Sequence, residues 1–278
     1  GTMAFILGIY ARLLEAIRSF DLALVGLLAR GRLHGAVRHV DLGFLVLLGA
    51  GILGAVVFFT RVVSLPGLIG SHPEAVYGLF FGLILASVVV LFAEIDDLGP
   101  RDGVALAAGI ALGLAVANLV PTETPEAPWF VFLAGALAIC AMVLPGVSGS
   151  FILLVLNKYA YVLDAIGRFD LAVILPFAAG AVVGLMLFTR LLVWLLHHYY
   201  RVALLTISGI LVGSLWIIWP FQERVYETVR GKERLLSSTP RLPEAFTGDA
   251  ALALALAVAG FLAVMAIHRY ARSHPTPH

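Results

Sequence analysis

The chain has 278 residues, of which 61% are hydrophobic and only 13% charged, and its formal net charge is +1. Soluble domains carry about a quarter charged residues, so this composition excludes an ordinary soluble domain and predicts a multi-pass membrane protein. The small net charge gives no reason to expect nucleic acid as a partner. The single cysteine, Cys140, excludes an intramolecular disulfide and a cysteine-built metal site, and no metal or cofactor is expected.

Six apolar segments, taken in chain order, are long enough to cross a bilayer, since a spanning helix needs about 20 mostly apolar residues. Residues 1–10 have the pattern of a helical arm that returns from a hairpin, and we expect the first arm of that hairpin to precede residue 1. The charged segment 222–244 is predicted to be an extramembrane loop. The six predicted spans are residues 42–64, 75–94, 103–120, 171–196, 202–219 and 249–268.

The apolar stretch 129–156 is broken at its centre by the sequence Pro-Gly-Val-Ser-Gly-Ser, residues 145–150. Lipid supplies no hydrogen bonds, so non-helical backbone at membrane depth must be satisfied by protein, water or a ligand. We therefore predict a re-entrant helical hairpin over 129–156 that enters and leaves by one membrane face. Its turn would direct free backbone N–H groups and the hydroxyls of Ser148 and Ser150 at an anion. A Pro/Gly kink whose serines bond back to the helix is the alternative interpretation.

An internal repeat relates the two halves of the chain. Residues 1–22 align with residues 150–171 without gaps and share nine identical positions, among them Tyr10 with Tyr159. Composition bias can match leucines and alanines by chance, but it does not explain the shared Tyr-Ala and Phe-Asp-Leu sequences. The alignment therefore indicates a duplicated structural unit.

Two later blocks continue the repeat at shorter offsets. Phe-Thr-Arg occurs at residues 59–61 and again at 188–190, and a Gly-to-Ser segment at 82–87 matches residues 209–214. The shortening offset means that the first half carries an insertion, which we place within residues 23–40. Each half then consists of one broken hairpin followed by three spans.

Three spans per half is an odd number, so the second half must be inverted relative to the first. Inverted repeats whose broken helices meet near the bilayer midplane are a recurrent plan of secondary transporters. We predict an all-α polytopic membrane protein of two inverted-topology repeats, each a re-entrant hairpin plus three transmembrane helices. The first repeat would occupy residues 1–120 and the second residues 121–278.

The distribution of basic residues predicts an orientation. Residues 11–40 hold five arginines, and the segments 190–201 and 269–272 are also basic, which places them in the cytoplasm under the positive-inside rule. The loop 121–128 has no basic residue and two glutamates, which places it outside. The loop 221–248, with five basic residues on the predicted outer side, argues against this orientation.

Arg61 and Arg190, the repeat-related arginines, both lie among apolar residues. An arginine inside hydrocarbon costs at least about 2.5 kcal/mol, so it should face a partner or an aqueous cavity. The guanidinium fork suits bidentate binding of a phosphate. Snorkelling of both side chains to the interface is the alternative.

Three segments resemble the polyprenyl-phosphate transporter family of bacteria and archaea, formerly a domain of unknown function. Residues 142–150 with Tyr159 resemble its second signature. Residues 1–13 look like the tail of its first signature, which begins with its own Pro-Gly-Val-Ser-Gly, absent here. Residues 213–220 are similar to a late Trp-Pro segment, in which Ile217 stands where the family carries a lysine.

The resemblance implies that the protein is not an enzyme and returns undecaprenyl phosphate, the carrier lipid of cell-wall synthesis, from the outer to the cytoplasmic leaflet of the inner membrane. Its partners would be this lipid and the bilayer, and the coupling ion, a proton or sodium, is left open. In this hypothesis the hairpin turns hold the phosphate while the two arginines neutralise it from either side. The expected substrate-binding residues are Gly1, Thr2, Arg61, Gly146, Val147, Ser148, Gly149, Ser150 and Arg190.

Three other functions stay open on the sequence. A membrane phosphatase acting on undecaprenyl pyrophosphate also carries Pro-Gly-x-Ser turns, but it needs an arginine directly after the serine, where this chain has Gly149. A secondary transporter of a small soluble anion would use a similar site without a lipid. A structural membrane scaffold is disfavoured, because buried arginines and broken helices are costly in a bilayer.

Overall fold

The computed structural model describes most of the chain. Gly1 and Thr2, two of the predicted site residues, lie outside the described part. The described residues are 4, 7–95, 99–119, 121–229, 232–241 and 248–273.

The described residues form thirteen α-helices, one π-helical turn and one two-stranded β-ribbon. The elements in chain order are α1 (Tyr10–Arg18), α2 (Leu22–Ala29), α3 (Leu33–His39), α4 (Leu42–Val57) with its π-helical continuation Phe58–Val62, α5 (Leu65–Ser71), α6 (Pro73–Phe92), α7 (Pro100–Ala117), α8 (Pro128–Val143), α9 (Gly149–Val155), α10 (Tyr159–Arg168), α11 (Leu171–His198), α12 (Tyr200–Ser214), β1 (Gln222–Val229), β2 (Lys232–Pro240) and α13 (Gly248–Ser273).

The membrane-spanning character of the chain is confirmed. Four helical segments in the described residues are long and apolar enough to cross a bilayer, namely α4 with its π-helical turn, α6, α11 and α13. They match four of the six predicted spans. The other two predicted spans, 103–120 and 202–219, correspond to the shorter helices α7 and α12. The protein is therefore a mainly helical, multi-pass membrane protein.

Helix α12 ends at Ser214, five residues before the predicted end of its span. The next three backbone N–H groups, from Leu215 to Ile217, donate to carbonyls three residues earlier rather than four. This tightening is typical of a helix that is ending, and Pro220 shortly afterwards cannot continue it. The Trp-Pro segment therefore leaves the helix instead of completing it.

Close glycine contacts hold the helices in parallel pairs. On α6, Gly78 and Gly82 lie directly against the backbone of α13 at Ala253 and Ala257. On α7, Gly109 lies in the same way against the backbone of α12. Small residues let helix backbones approach closely, which is the usual basis of helix packing in membranes.

Helices α6 and α12 pack against each other in antiparallel fashion near the centre of the molecule. Leu91 near the end of α6 and Leu204 near the start of α12 belong to one buried apolar cluster. The hydroxyl of Tyr200, at the start of α12, donates to Glu94 just past the end of α6 at 3.5 Å. The two pairs α6–α13 and α7–α12 are thereby joined into one bundle.

Polar contacts tie the starts of α7 and α12. Arg201 donates from Nε and Nη2 to the two carboxylate oxygens of Asp102, at 2.9 and 2.6 Å. This fork-to-fork geometry is the stronger form of an arginine–carboxylate pair. The ion pair therefore fixes the ends of two helices whose apolar contacts already run along their length.

The segment predicted as an extramembrane loop contains a β-ribbon. Strands β1 and β2 pair in antiparallel register from Gln222 with Pro240 to Val229 with Lys232, with an irregularity after Val225. Strands favour β-branched and aromatic residues, and β1 contains Val225, Tyr226, Thr228 and Val229. The rest of the described chain is helical or connecting segment.

The predicted insertion of the first half corresponds to two short helices. Between α1 and α4 the chain forms α2 and α3, whereas α10, the counterpart of α1 in the alignment, is followed after two residues by α11. Helices α1 and α10 are both strongly amphipathic by sequence, and the chain bends by 103° between α9 and α10. Such a bend is typical of a helix that leaves the membrane interior and lies at its surface.

Candidate functional site

The predicted hairpin is a helix–turn–helix formed by α8 and α9. Gly149, the first residue of α9, lies against Ala138 and Met142 near the end of α8. The open end of the hairpin is closed by a hydrogen bond from the Thr122 N–H to the Val155 carbonyl at 3.0 Å. The segment before α8 and the end of α9 are therefore on the same side of the turn, as a hairpin requires.

Helix α8 runs parallel to α11 and stops before α11 ends. Phe132 lies beside Gly180 and Ala136 beside Gly184, and this constant separation puts Val143, the last residue of α8, level with Leu191. Seven residues of α11 remain beyond that level, which is about 10 Å of helix. The turn of the hairpin thus lies within the length of α11 and not at its end.

Helix α1 covers the end of α8. The hydroxyl of Tyr10, which is 3% exposed, donates to the Val143 carbonyl at 3.1 Å. Tyr10 and Leu14 also pack with Leu192 and Val193 of α11 in one apolar cluster. Because α8 ends at Val143, its last carbonyls have no partner within the helix, and the tyrosine satisfies one of them.

The turn itself has a geometry that only glycine accepts easily. Gly146 has φ +88°, and a Cβ there would lie 2.9 Å from a methyl group of Leu211 on α12. Pro145 beside it is fully buried. The turn therefore lies against the C-terminal part of α12, and a left-handed glycine makes that approach without steric cost.

The two serines at the turn are exposed and bonded to each other. Ser148 caps α9, its Oγ accepting from the Phe151 N–H at 3.4 Å, and its Oγ lies 2.9 Å from the Oγ of Ser150. Val147 is half-buried between them and the glycine turn. Helix α9 has only seven residues, so the hydroxyls and the nearest N–H groups outweigh any helix dipole here. Ser148 serves as a helix cap, and both hydroxyls also face the surface.

The repeat-related arginines occupy different surroundings. Arg61 lies on the π-helical end of α4, and Arg190 lies on α11 one residue before the level of the hairpin turn; both are exposed. Neither guanidinium has an ion-pair partner among the described residues. Arg190 lines a cavity beside α1, and Arg61 does not line it. The structure thus brings Arg190, but not Arg61, close to the hairpin of the second half.

Lys158 is a buried cation that sequence reasoning missed. It is 2% exposed, its Nζ donates to the Thr124 carbonyl at 2.9 Å, and it lies 5.7 Å from the Phe130 ring and 5.4 Å from the Tyr161 ring. Aromatic faces attract a cation, so this side chain binds the segment before α8 to the start of α10. The available signal was a single lysine directly after the broken apolar run.

Comparison with known proteins identifies the family of the chain. The sequence matches the undecaprenyl phosphate translocase-like family over residues 1–234. It is also 36% identical over 279 residues to a polyprenyl-phosphate transporter of Vibrio cholerae serotype O1, covering 98% of this chain and 90% of that relative. The chain belongs to the undecaprenyl phosphate translocase-like family.

A second relative matches a shorter part of the chain. A polyprenyl-phosphate transporter of Staphylococcus aureus is 34% identical over 95 residues, which is 32% of this chain and 34% of the relative. No solved structure matches the chain significantly. The resemblance inferred from the sequence motifs is therefore confirmed, and both relatives are named polyprenyl-phosphate transporters.

Proposed function

We propose that this protein carries a polyprenyl phosphate, with undecaprenyl phosphate as its substrate, from the outer to the cytoplasmic leaflet of the inner membrane. The observation that carries the transport function is the 36% identity over nearly the whole chain with a relative named polyprenyl-phosphate transporter. The description of the matching family supports the undecaprenyl form. The proposed direction follows from the resemblance to the polyprenyl-phosphate transporter family, and it would return the carrier lipid to cell-envelope synthesis.

The turn of the α8–α9 hairpin is the proposed site for the phosphate. It combines two exposed hydroxyls, Ser148 and Ser150, with the backbone N–H groups of Gly149 and its neighbours. A phosphate oxygen accepts hydrogen bonds strongly from such groups. The prenyl tail would stay in lipid beside the apolar, exposed surface of the helices.

Two arginines are proposed to neutralise the phosphate on its way. Arg190 lies near the level of the turn on α11, and Arg61 lies at the far end of α4. A guanidinium without an ion-pair partner is available to a phosphate, and it binds one bidentately. Arg190 would therefore act beside the turn, and Arg61 would meet the headgroup at another point of its path.

The proposed inverted repeat over 1–120 and 121–278 is supported by the way the helices pair. The alignment relates α6 to α12, and chain order relates α7 to α13; the observed pairs are α6 with α13 and α12 with α7. In each repeat, therefore, the second spanning helix packs against the third spanning helix of the other repeat. The two corresponding helices α6 and α12 run antiparallel, as inverted copies around an axis in the membrane plane would.

A leaflet-accessibility assay tests the function. Full-length protein is reconstituted in liposomes containing undecaprenyl phosphate, and a phosphatase added outside removes phosphate from lipid in the outer leaflet. We expect wild-type protein to make the inner-leaflet lipid accessible as well, whereas protein-free liposomes keep it protected. Equal protection with and without protein would overturn the proposed function.

Site variants sharpen this assay. Replacing Ser148 and Ser150 together by alanine, or Arg190 by alanine, should slow translocation about ten- to a hundredfold, because hydrogen bonds to charged groups contribute about 1.5–3 kcal/mol. The matched controls Ser71→Ala and Arg168→Ala change an exposed serine and an exposed arginine elsewhere, and should translocate like wild type. Rates unchanged in the site variants would reject the hairpin turn as the phosphate site. Phosphate release by the purified protein without added phosphatase would instead indicate an enzyme.

A further inference from the structure

A cavity of about 730 Å³ opens between α1, α3 and the C-terminal part of α11. Val193 of α11 lines it and also packs against Tyr10, the residue whose hydroxyl bonds the end of α8. One layer of side chains therefore separates this cavity from the hairpin turn. The ionisable groups in its lining are Glu15, Arg18, Asp21, His39, Arg190, His197 and His198.

The two histidines at the end of α11 are held in one orientation. His197 Nδ1 lies 2.8 Å from the Val193 carbonyl and His198 Nδ1 lies 2.9 Å from the Trp194 carbonyl. A carbonyl oxygen can only accept, so each Nδ1 carries the hydrogen. The Trp194 ring, stacked on His198 at 5.1 Å between centroids, adds a second constraint.

This arrangement leaves Nε2 of both histidines as the free nitrogen. In the neutral ring Nε2 can only accept a hydrogen bond, and it becomes a donor when the ring gains a proton. Histidine is the side chain that makes this change between pH 5 and 8. Both rings thus become anion ligands only by taking up a proton.

The other charged side chains in the cavity lining also favour binding of an anion. Arg18 and Arg190 have no ion-pair partner among the described residues. The Asp21 carboxylate lies 3.1 Å from His39 Nε2 and accepts a hydrogen bond from the Leu24 N–H at 3.0 Å. These contacts reduce its repulsion of an anion. Glu15 is the remaining acidic group of the lining and opposes an anion.

A metal ion is the other ligand that neutral imidazoles select. A metal site needs several ligands that converge on one point. Among the described residues no three His, Cys, Asp or Glu side chains are placed to hold a metal ion. Two arginines in the same lining would also repel a cation.

We propose that this cavity is a second binding site for a phosphate monoester, at which His197 and His198 take up protons as the anion binds. This inference rests on the proposed function, because the cavity would be the site that binds the lipid headgroup after the hairpin turn. Arg18 and Arg190 supply permanent positive charge, and the two Nε2–H groups add donors. Binding is then strongest at low pH and weakens as the pH rises.

Calorimetry on the full chain in nanodiscs tests the inference, with farnesyl phosphate as a short polyprenyl probe. Titrations at pH 7.5, where a phosphate monoester is already doubly ionised, in two buffers of different ionisation enthalpy give the number of protons taken up. We expect net proton uptake and an affinity that falls up to about tenfold per pH unit for each proton bound. Absence of proton uptake in the wild-type protein would overturn the proposal.

Three variants locate the effect. The double variant His197→Gln with His198→Gln should lose the proton uptake and bind about tenfold more weakly, whereas His72→Gln, an exposed histidine elsewhere, should match wild type. Glu15→Gln should bind more tightly, since it removes the opposing charge, and this gain does not depend on a loss-of-function variant. Proton uptake and affinity unchanged in the double variant would reject the two histidines.

Two further comparisons distinguish a lipid headgroup from free phosphate as the ligand, and a failure of this inference from a failure of the proposed function. Inorganic phosphate should bind more weakly than farnesyl phosphate, and equal affinity for the two would overturn the assignment to a lipid headgroup. A wild-type protein that fails the liposome assay, but binds farnesyl phosphate with proton uptake that depends on the histidines, would reject translocation while supporting the cavity as a site.

Discussion

Helices α4 and α11 carry the same Phe-Thr-Arg triplet at repeat-related positions, yet their surroundings differ. Helix α8 covers α11 along Gly180 and Gly184, whereas α4 has no buried residue in the described part of the chain. In both helices the threonine of the triplet donates to the carbonyl four residues earlier. The local backbone chemistry thus follows the sequence repeat, while burial depends on which helix packs alongside.

Helices α1 and α10 show the same contrast at a smaller scale. Gly8 lies two residues before the start of α1, and Asn157 lies two residues before the start of α10. Both have positive φ, +69° and +52°. The tyrosines that begin the two helices differ, because Tyr10 is buried under the hairpin and Tyr159 is 42% exposed. Lys158, which fills the position of an isoleucine in the first copy, anchors the second helix to aromatic rings.

The largest loss of stability is expected on substitution of Gly180 in α11. Gly180→Leu places a large side chain against the backbone of Phe132, so α8 and α11 must separate, at a cost of about 3 kcal/mol or more. At the repeat-related position, Gly51→Leu meets open space and should be nearly neutral. A thermal scan with a thiol-reactive fluorophore measures the stability of both variants. The chain's single cysteine, Cys140, reports on this interface because its thiol donates a hydrogen bond to the Gly184 carbonyl across it.

The control variant is informative in its own right. A loss of stability in Gly51→Leu as large as that in Gly180→Leu would mean that a helix also covers α4 in the protein under the conditions of the scan. The contrast between the two spans would then be withdrawn. Equal stability of Gly180→Leu and wild type would contradict the packing of α8 on α11.

Lys158 should show the next largest effect. Lys158→Ala removes a fully buried side chain and leaves the Thr124 carbonyl without its donor, so we expect a loss of about 2–4 kcal/mol. Lys158→Met keeps the apolar stem and should recover part of that loss. Thermal unfolding of the purified variants measures the difference. Equal stability for the alanine and methionine variants would show that the stem contributes nothing.

The two tyrosines compare the start of α1 with the start of α10. Tyr10→Phe removes the hydrogen bond to the Val143 carbonyl and should cost about 1–3 kcal/mol, because a buried carbonyl loses its partner. Tyr159→Phe, at an exposed position, should change stability little. The same thermal scan applies to both, and an equal shift for the two variants would contradict the role of α1 as the cover of the hairpin.

Much of the fold could be predicted from hydrophobic length and the repeat, and the rest could not for physical reasons. The spans that became α4, α6, α11 and α13 are long apolar runs, which composition alone identifies. The early end of α12 depends on a change of hydrogen-bond spacing that no apolar count reveals. The β-ribbon depends on pairing between two polar segments, which the sequence pattern of either one leaves ambiguous.

The candidate site was predictable where the backbone itself is unusual. The broken run at Pro145 led directly to the observed turn, because a Pro-Gly dipeptide marks a turn. The cavity beside α1 was not predictable, since it joins Arg18, His39 and Arg190 from three elements distant in the sequence. Lys158 was missed for a similar reason, as its buried contacts include the Thr124 carbonyl and the Phe130 ring, which are distant in the sequence.

The smallest effect is expected at Asp21, whose counterpart in the repeat is Asp170. Hydrogen bonds from the Leu24 N–H and from His39 hold the pKa of Asp21 below its usual range, so its stabilising contribution is present near neutral pH and is lost as the pH falls through that lowered pKa. Asp21→Asn should therefore speed backbone hydrogen exchange in α2 near pH 7, and the difference from wild type should vanish in strong acid. Asp170→Asn keeps an acceptor for the Ala172 N–H and should remain close to wild type, since asparagine caps a helix as well as aspartate does. A pH-independent difference for Asp21→Asn would show that the contact with His39 acts through shape and not through charge.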